Sequence, residues 1–192
     1  MFKCFVGACF VFLSVLATAG SAAAATVRQV LLDEMIESAG IAFQGTCTAN
    51  RVEQDTATNF IVTYTTFAVT DVIKGTVAAT HVIKQIGGTL ADGKSGMVVN
   101  GVPTFTIGDE YVVFMAGVSS LGFSSPVGLS QGRFTIHQSA EGKRISNGGD
   151  FRELTKKMPR ATLPDAGGGK SVKQLNLDEF KQMARAHASV AK

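Results

Sequence analysis

The sequence predicts a mainly β protein: antiparallel strands with a helix at each end. Three observations carry the prediction. Strand-like segments follow one another without helices between them, which argues for an antiparallel barrel or sandwich over a parallel α/β sheet. The composition, with 21 Gly and abundant Thr and Val, leans toward strands and turns. Helical periodicity marks the regions before the first strand and after the last.

Residues 1–25 precede the folded part. Lys3 gives a positive start, Phe5 to Leu16 is an apolar run, and Ala17 to Ala25 is a stretch of small residues. That order is the layout of a secretory signal peptide cleaved near Ala22 to Ala25. The apolar run is shorter than the roughly 20 residues of a spanning helix, so no stable membrane insertion is expected after cleavage. The predicted location is exported, either periplasmic or secreted. Cys4 and Cys9 lie too early for a lipidated cleavage point.

From Thr26 onward the chain suits one compact domain. Thr26 to Ala39 reads as a helix, with Leu32, Met35, Ile36 and Ala39 on one face and Gly40 placed to end it. Ile41 to Val52 alternates as a strand, and Glu53 to Asn59 is a polar turn. Phe60 to Ile73 is the longest β-rich run. Both of its faces carry apolar groups, which predicts a long, bent or bulged strand in a curved sheet. His81 to Ile86 is a short strand closed by Gly87-Gly88, and Thr89 to Pro103 is loop-like. Tyr111 to Ala116 is an apolar strand, and Leu121 to Ser130 a loop. Gly132 to Gln138 alternates and returns through Lys143 to Ser146 as a hairpin.

The expected domain, 26–150, is followed by an irregular, exposed linker, 151–175, with Gly167-Gly168-Gly169 as its flexible point. A final helix spans 176–192. Asn176 is its N-cap with Glu179 three residues on, and Leu175 and Phe180 stand in the places of a hydrophobic staple. The staple favours a helix docked on the sheet.

With the leader removed, Cys47 is the one cysteine left. It reads as a buried small hydrophobe on a strand. Residues 25–140 hold 6 Lys/Arg against 9 Asp/Glu, and residues 141–192 hold 11 against 6. The basic end could meet an anionic membrane surface or envelope polymer, but its cations are interleaved with acids, as on an ordinary solvated surface. No phosphate loop, metal-ligand spacing or platform of aromatic and basic residues is present. Neither a cofactor, a metal nor nucleic acid is expected.

Gly128-Leu129-Ser130-Gln131-Gly132 fits the G-x-S-x-G pattern of serine hydrolases, with His137 downstream. That elbow requires a strand before the serine and a helix after it. The residues after Ser130 alternate like a strand, so the segment reads as a glycine-bounded turn. A hydrolase built on Ser130 and His137 is the alternative function, and no catalytic residue is assigned in the preferred one.

Thr66-Phe67-Ala68-Val69-Thr70-Asp71-Val72-Ile73-Lys74-Gly75 resembles the F-x-V-x-x-V-x-K-G stretch of netrin-like modules, the class that includes the tissue inhibitors of metalloproteinases. Gly108-Asp109-Glu110-Tyr111-Val112-Val113-Phe114 resembles their G-x-x-Y-L-V-F strand. The chain is also similar to exported bacterial proteins sharing these stretches and a segment like Pro126 to Phe134. The resemblance implies an OB-like antiparallel barrel with helices alongside. The inhibitors use an N-terminal Cys to chelate the target zinc; here the chain would begin near Thr26, so that chemistry does not carry over. The function the resemblance still implies is a non-enzymatic module binding another exported protein, a protease included. Its expected contact residues are Met97, Val98, Val102 and Pro103 in one loop, and Leu121 and Phe123 in another.

Overall fold

The computed structural model describes residues 28–158 and 171–190. The leader read at 1–25 and the glycine triplet at 167–169 lie outside them. The fold is mainly β, with helices flanking the sheet at the N- and C-terminal sides. Strands β1 (Ile41–Gln54), β2 (Ile61–Lys74), β3 (Thr80–Ile86), β6 (Glu110–Met115), β7 (Arg133–Ser139), β8 (Gly142–Ser146) and β9 (Leu175–Asn176) make one antiparallel sheet in the order β3-β2-β1-β6-β7-β8-β9. Strands β4 (Gly88–Thr89) and β5 (Gly96–Met97) pair separately, at the start of and within the stretch 89–103 expected to be loop-like. Helix α1 is Leu32–Ser38, α2 is Phe151–Leu154 and α3 is Leu177–Val190.

The β1–β2 hairpin is bulged, as its doubly apolar pattern predicts. Its register shifts between Ala42 and Phe43, between Gln44 and Gly45, and between Cys47 and Ala49. At Gly45 the strands approach so closely that a Cβ would lie 2.9 Å from the Ala68 carbonyl oxygen, so only glycine fits. The ends of the sheet, β3 and β9, do not pair, and the strands alone do not close an OB-like barrel. The gap beside β3 is instead spanned by residues 124–126. Ser124 N–H donates to the Lys84 carbonyl (2.9 Å), Ala116 N–H donates to the Ser125 carbonyl (3.0 Å), and Met115 bridges to Pro126.

Two cores lie on opposite faces of β6. Val112 and Phe114 face the helices with Phe134, Phe151 and Phe180; Tyr111, Val113 and Met115 face a second cluster with Phe43, Phe67, Ile83 and Phe105. Both faces of β6 are buried, which is why its sequence is continuously apolar. On the helix side Phe134 packs against Phe180 (4.9 Å between centroids), Phe114 (5.8 Å) and Phe151 (6.1 Å).

Helix α1 is shorter than its periodicity predicts. Residues 28–31 are held non-helical because the Gln131 amide grips both sides of the segment: Val30 N–H donates to its oxygen (2.9 Å), and its nitrogen donates to the Arg28 carbonyl (3.1 Å). The expected stripe, Leu32, Met35, Ile36 and Ala39, is buried. Gly40 does not provide a left-handed cap. The Lys74 ammonium caps the last carbonyls instead, donating to Ile36 (2.6 Å) and Glu37 (3.1 Å).

Of the segment expected as a linker, 151–175, the described residues 151–158 are not irregular and exposed: they begin with α2. Asp150 caps it, accepting from Arg152 N–H (3.1 Å) and also from Val172 N–H (3.0 Å), and these bonds hold its carboxyl below the ordinary carboxylate range. Phe151, Leu154 and Met158 are buried in the helix-side core. The cap of α3 forms as read: Asn176 Oδ1 accepts from Asp178 and Glu179 N–H (2.9 and 3.2 Å), and Leu175 and Phe180 are buried. Lys181 ties the helix to the sheet through Gln44 (2.9 Å) and Asp71 (3.0 Å), and Arg185 also pairs with Asp71.

Candidate functional site

The inner face of β1, β2 and β3 changes character along the strands. Phe43 and Cys47 on β1, Phe67 on β2 and Ile83 on β3 pack as a core. Further along the same strands stand Asn50, Val52, Thr63, Thr65 and Gln85, and they line a cavity of about 350 Å³. The segment 86–105 folds over it and supplies Met97, Val98, Val99, Val102 and Pro103 to the apolar wall, with Phe105 at the join to the core. Phe105 is fixed edge-on between Phe67 (5.0 Å) and Tyr111 (5.1 Å).

The covering segment is tied to β2 at its start and braced within itself. Gly87 N–H donates to the Ile61 carbonyl (2.8 Å), and Leu90 N–H to the Ser95 carbonyl (2.8 Å). Asp92 clamps the turn, accepting from Lys94 N–H, Ser95 N–H and the Ser95 hydroxyl, each at 2.9 Å; these bonds hold its carboxyl below the ordinary range. Gly88 has φ 138°, and a Cβ there would meet Thr63 Oγ1 and Val52 Cγ1 at 2.6 Å. Glycine thus lets the covering segment descend onto the strands beside the cavity.

Most polar groups on the cavity floor are already engaged. Thr65 Oγ1 donates to Asn50 Oδ1 (2.7 Å), Asn50 Nδ2 donates to the Phe105 carbonyl (2.7 Å), and Thr63 Oγ1 donates to the Gly87 carbonyl (2.6 Å). Gln85 is the exception. It is 2% exposed, and its Nε2 has no hydrogen-bond partner among the described residues. Cys47 is buried beside this floor, and burial pushes its thiol pKa up.

The expected contact residues divide into two groups. Met97, Val98, Val102 and Pro103 all line the cavity, and Val98 stands 97% exposed at its mouth. Leu121 and Phe123 are not part of it. The Lys84 ammonium lies 4.7 Å from the Phe123 ring centroid, donates to the Leu121 carbonyl (3.2 Å) and pairs with Asp55 (2.8 Å). Those two residues therefore sit against Lys84 on β3, just before the strap 124–126. Sequence reasoning missed Asn50, Thr65 and Gln85. The available signal was parity: Thr63 and Thr65 alternate in step with buried Phe67, and Gln85 with buried Ile83.

Ser130 and His137 are not brought together. Ser130 lies in a single 3₁₀ turn, Leu129–Gly132, which runs directly into β7 and not into a helix. It lines a separate cleft with Gln29, Gln131, Arg133 and Asn147, whereas His137 is exposed along β7 and pairs in register with Arg144 on β8. No group of His, Cys, Asp and Glu able to hold a metal occurs among the described residues, and no helix there is long and apolar enough to cross a membrane. No family model matches the chain, and no curated protein or solved structure matches it significantly.

Proposed function

We propose that the chain is an exported, non-enzymatic binding module whose cavity receives an apolar group from another exported protein, a protease being one such partner. The observation that carries the reading is the cavity itself, with apolar walls, a short polar floor and Val98 exposed at the mouth. A concave, mostly apolar site with a few convergent polar groups is the common form of a binding pocket. The netrin-like resemblance of 66–75 and 108–114 supports a binding module as well. The basic C-terminal part supports an envelope-polymer reading less well. Among its described cations, Lys143, Lys157, Lys181 and Arg185 are engaged by Glu110, Glu34 and Asp71.

Capture of the tagged protein from the exported fraction of its own cells, with mild crosslinking and mass spectrometry, tests the reading. One stoichiometric exported partner is expected. It should be lost with Val98→Asp, which places a charge at the mouth without disturbing a core residue, and retained with Leu121→Asp. Absence of any partner, or equal loss in both variants, would overturn the assignment.

A further inference from the structure

We infer that the group held in the cavity is small, uncharged and apolar, and carries a hydrogen-bond acceptor to which Gln85 Nε2 donates. The inference rests on the binding reading above and specifies its chemistry. Three observations lead to it.

The first is the orphaned donor. A buried N–H without a partner destabilises the fold that contains it. Gln85 nevertheless sits at an inward position of β3, in step with Ile83 and 2% exposed, where an apolar side chain would continue the core. The neighbouring polar groups do not relieve it: Thr65, Asn50 and Thr63 bond to one another and to backbone carbonyls, and none of them accepts from Gln85 Nε2. An occupant presenting a carbonyl or ether oxygen at the floor would satisfy it.

The second is the absence of charge. Among the described residues, none lining the cavity is Asp, Glu, Lys, Arg or His. An ionised carboxylate or ammonium entering it would lose its hydration without a counter-charge, which strongly disfavours binding. The third is size. About 350 Å³ lies near the lower end of the range for small-molecule pockets, enough for one bulky side chain or a compact two-ring molecule.

The selectivity follows from the single unspent donor. A site built to donate to its ligand discriminates against the isostere that leaves the donor unpaired. The test uses three probes of similar shape, titrated into the purified protein by calorimetry: 2-acetylnaphthalene, 2-ethylnaphthalene and 2-naphthoate. The ketone should bind about tenfold more tightly than the ethyl compound, and the carboxylate should show no measurable binding. In wild-type protein the ketone should also shift the side-chain amide resonance of Gln85. Gln85→Met, and Gln85→Leu as a second apolar replacement, should abolish the preference for the ketone. Equal affinity for the ketone and the ethyl compound, preference for the carboxylate, or binding of none of the three would overturn the inference. The two readings fail separately. Ketone selectivity without a captured protein leaves the cavity chemistry standing and removes the protein partner. A partner lost with Val98→Asp, without ketone selectivity, does the reverse.

Discussion

The two faces of β6 are finished differently. On the helix side Phe114, Phe134, Phe151 and Phe180 interlock with α1 and α3 into a filled core. On the other side Phe43, Phe67, Phe105 and Tyr111 pack equally closely, but the layer stops at a cavity with a hydrogen-bonded floor and one orphaned amide. The filled face holds the fold together. On the unfilled face the unpartnered amide of Gln85 stands among residues that line a cavity, where an occupant could supply its acceptor.

The sharpest way to break this contrast is to remove a ring from the filled side. Phe134→Ala deletes a fully buried side chain touching three other phenylalanines. It should lower the unfolding free energy in urea by about 3–5 kcal/mol. A loss below about 1 kcal/mol would show that the helix-side core is not the stabilising one. Asn176→Ala removes the oxygen that caps α3 and should lower stability by about 1 kcal/mol by the same measurement.

The cavity side predicts the opposite sign. Gln85→Met replaces the unpaired donor with an apolar chain of similar length, so stability should be unchanged or raised by up to about 1 kcal/mol. Substantial destabilisation would mean that the amide has a structural partner, and the distinction between the faces would disappear.

The smallest expected effect lies in the acid response of two ion pairs, Asp55–Lys84 and Glu110–Lys143. Hydrogen bonds from Lys84 and Thr58 hold the Asp55 carboxyl below its ordinary value of 3.8. For Glu110, burial acts upward, but bonds from Lys143 and Gln44 outweigh it and leave the group below 4.5. Because both folded values are depressed, each contribution is complete above the unfolded value and is lost as pH falls through the folded one. Urea midpoints measured below pH 5 should therefore fall more steeply for wild type than for Asp55→Asn. Parallel curves would remove Asp55 from the acid response.

Much of this was legible in the residues. The stripe of α1, the bulged pair β1–β2, the β7–β8 hairpin and the capped α3 all follow from local periodicity and capping chemistry, which neighbours only a few residues away decide. The cover of the cavity was half legible: the loop containing Met97, Val98, Val102 and Pro103 stood out as long and rich in turn signals. The position of the second loop was not legible, because nothing local says that Lys84 draws Leu121 and Phe123 to β3, apart from the cavity.

By itself the sequence determined the long strands, the helix at each end, the antiparallel class and the burial of Cys47, since alternation, turns and caps act over short stretches of chain. Tertiary structure alone decided three further features. Phe151, Leu154 and Met158 became core because they pack in one cluster with Ile145 of β8 and Phe180 and Ala184 of α3. Helix α1 starts late because Gln131, about a hundred residues away in the chain, holds residues 28–30. Gln85 became a buried, unpaired donor because the segment from Gly87 to Phe105 closes over it while the neighbouring polar groups bond to one another. Each depends on contacts between residues far apart in sequence, where periodicity carries no information.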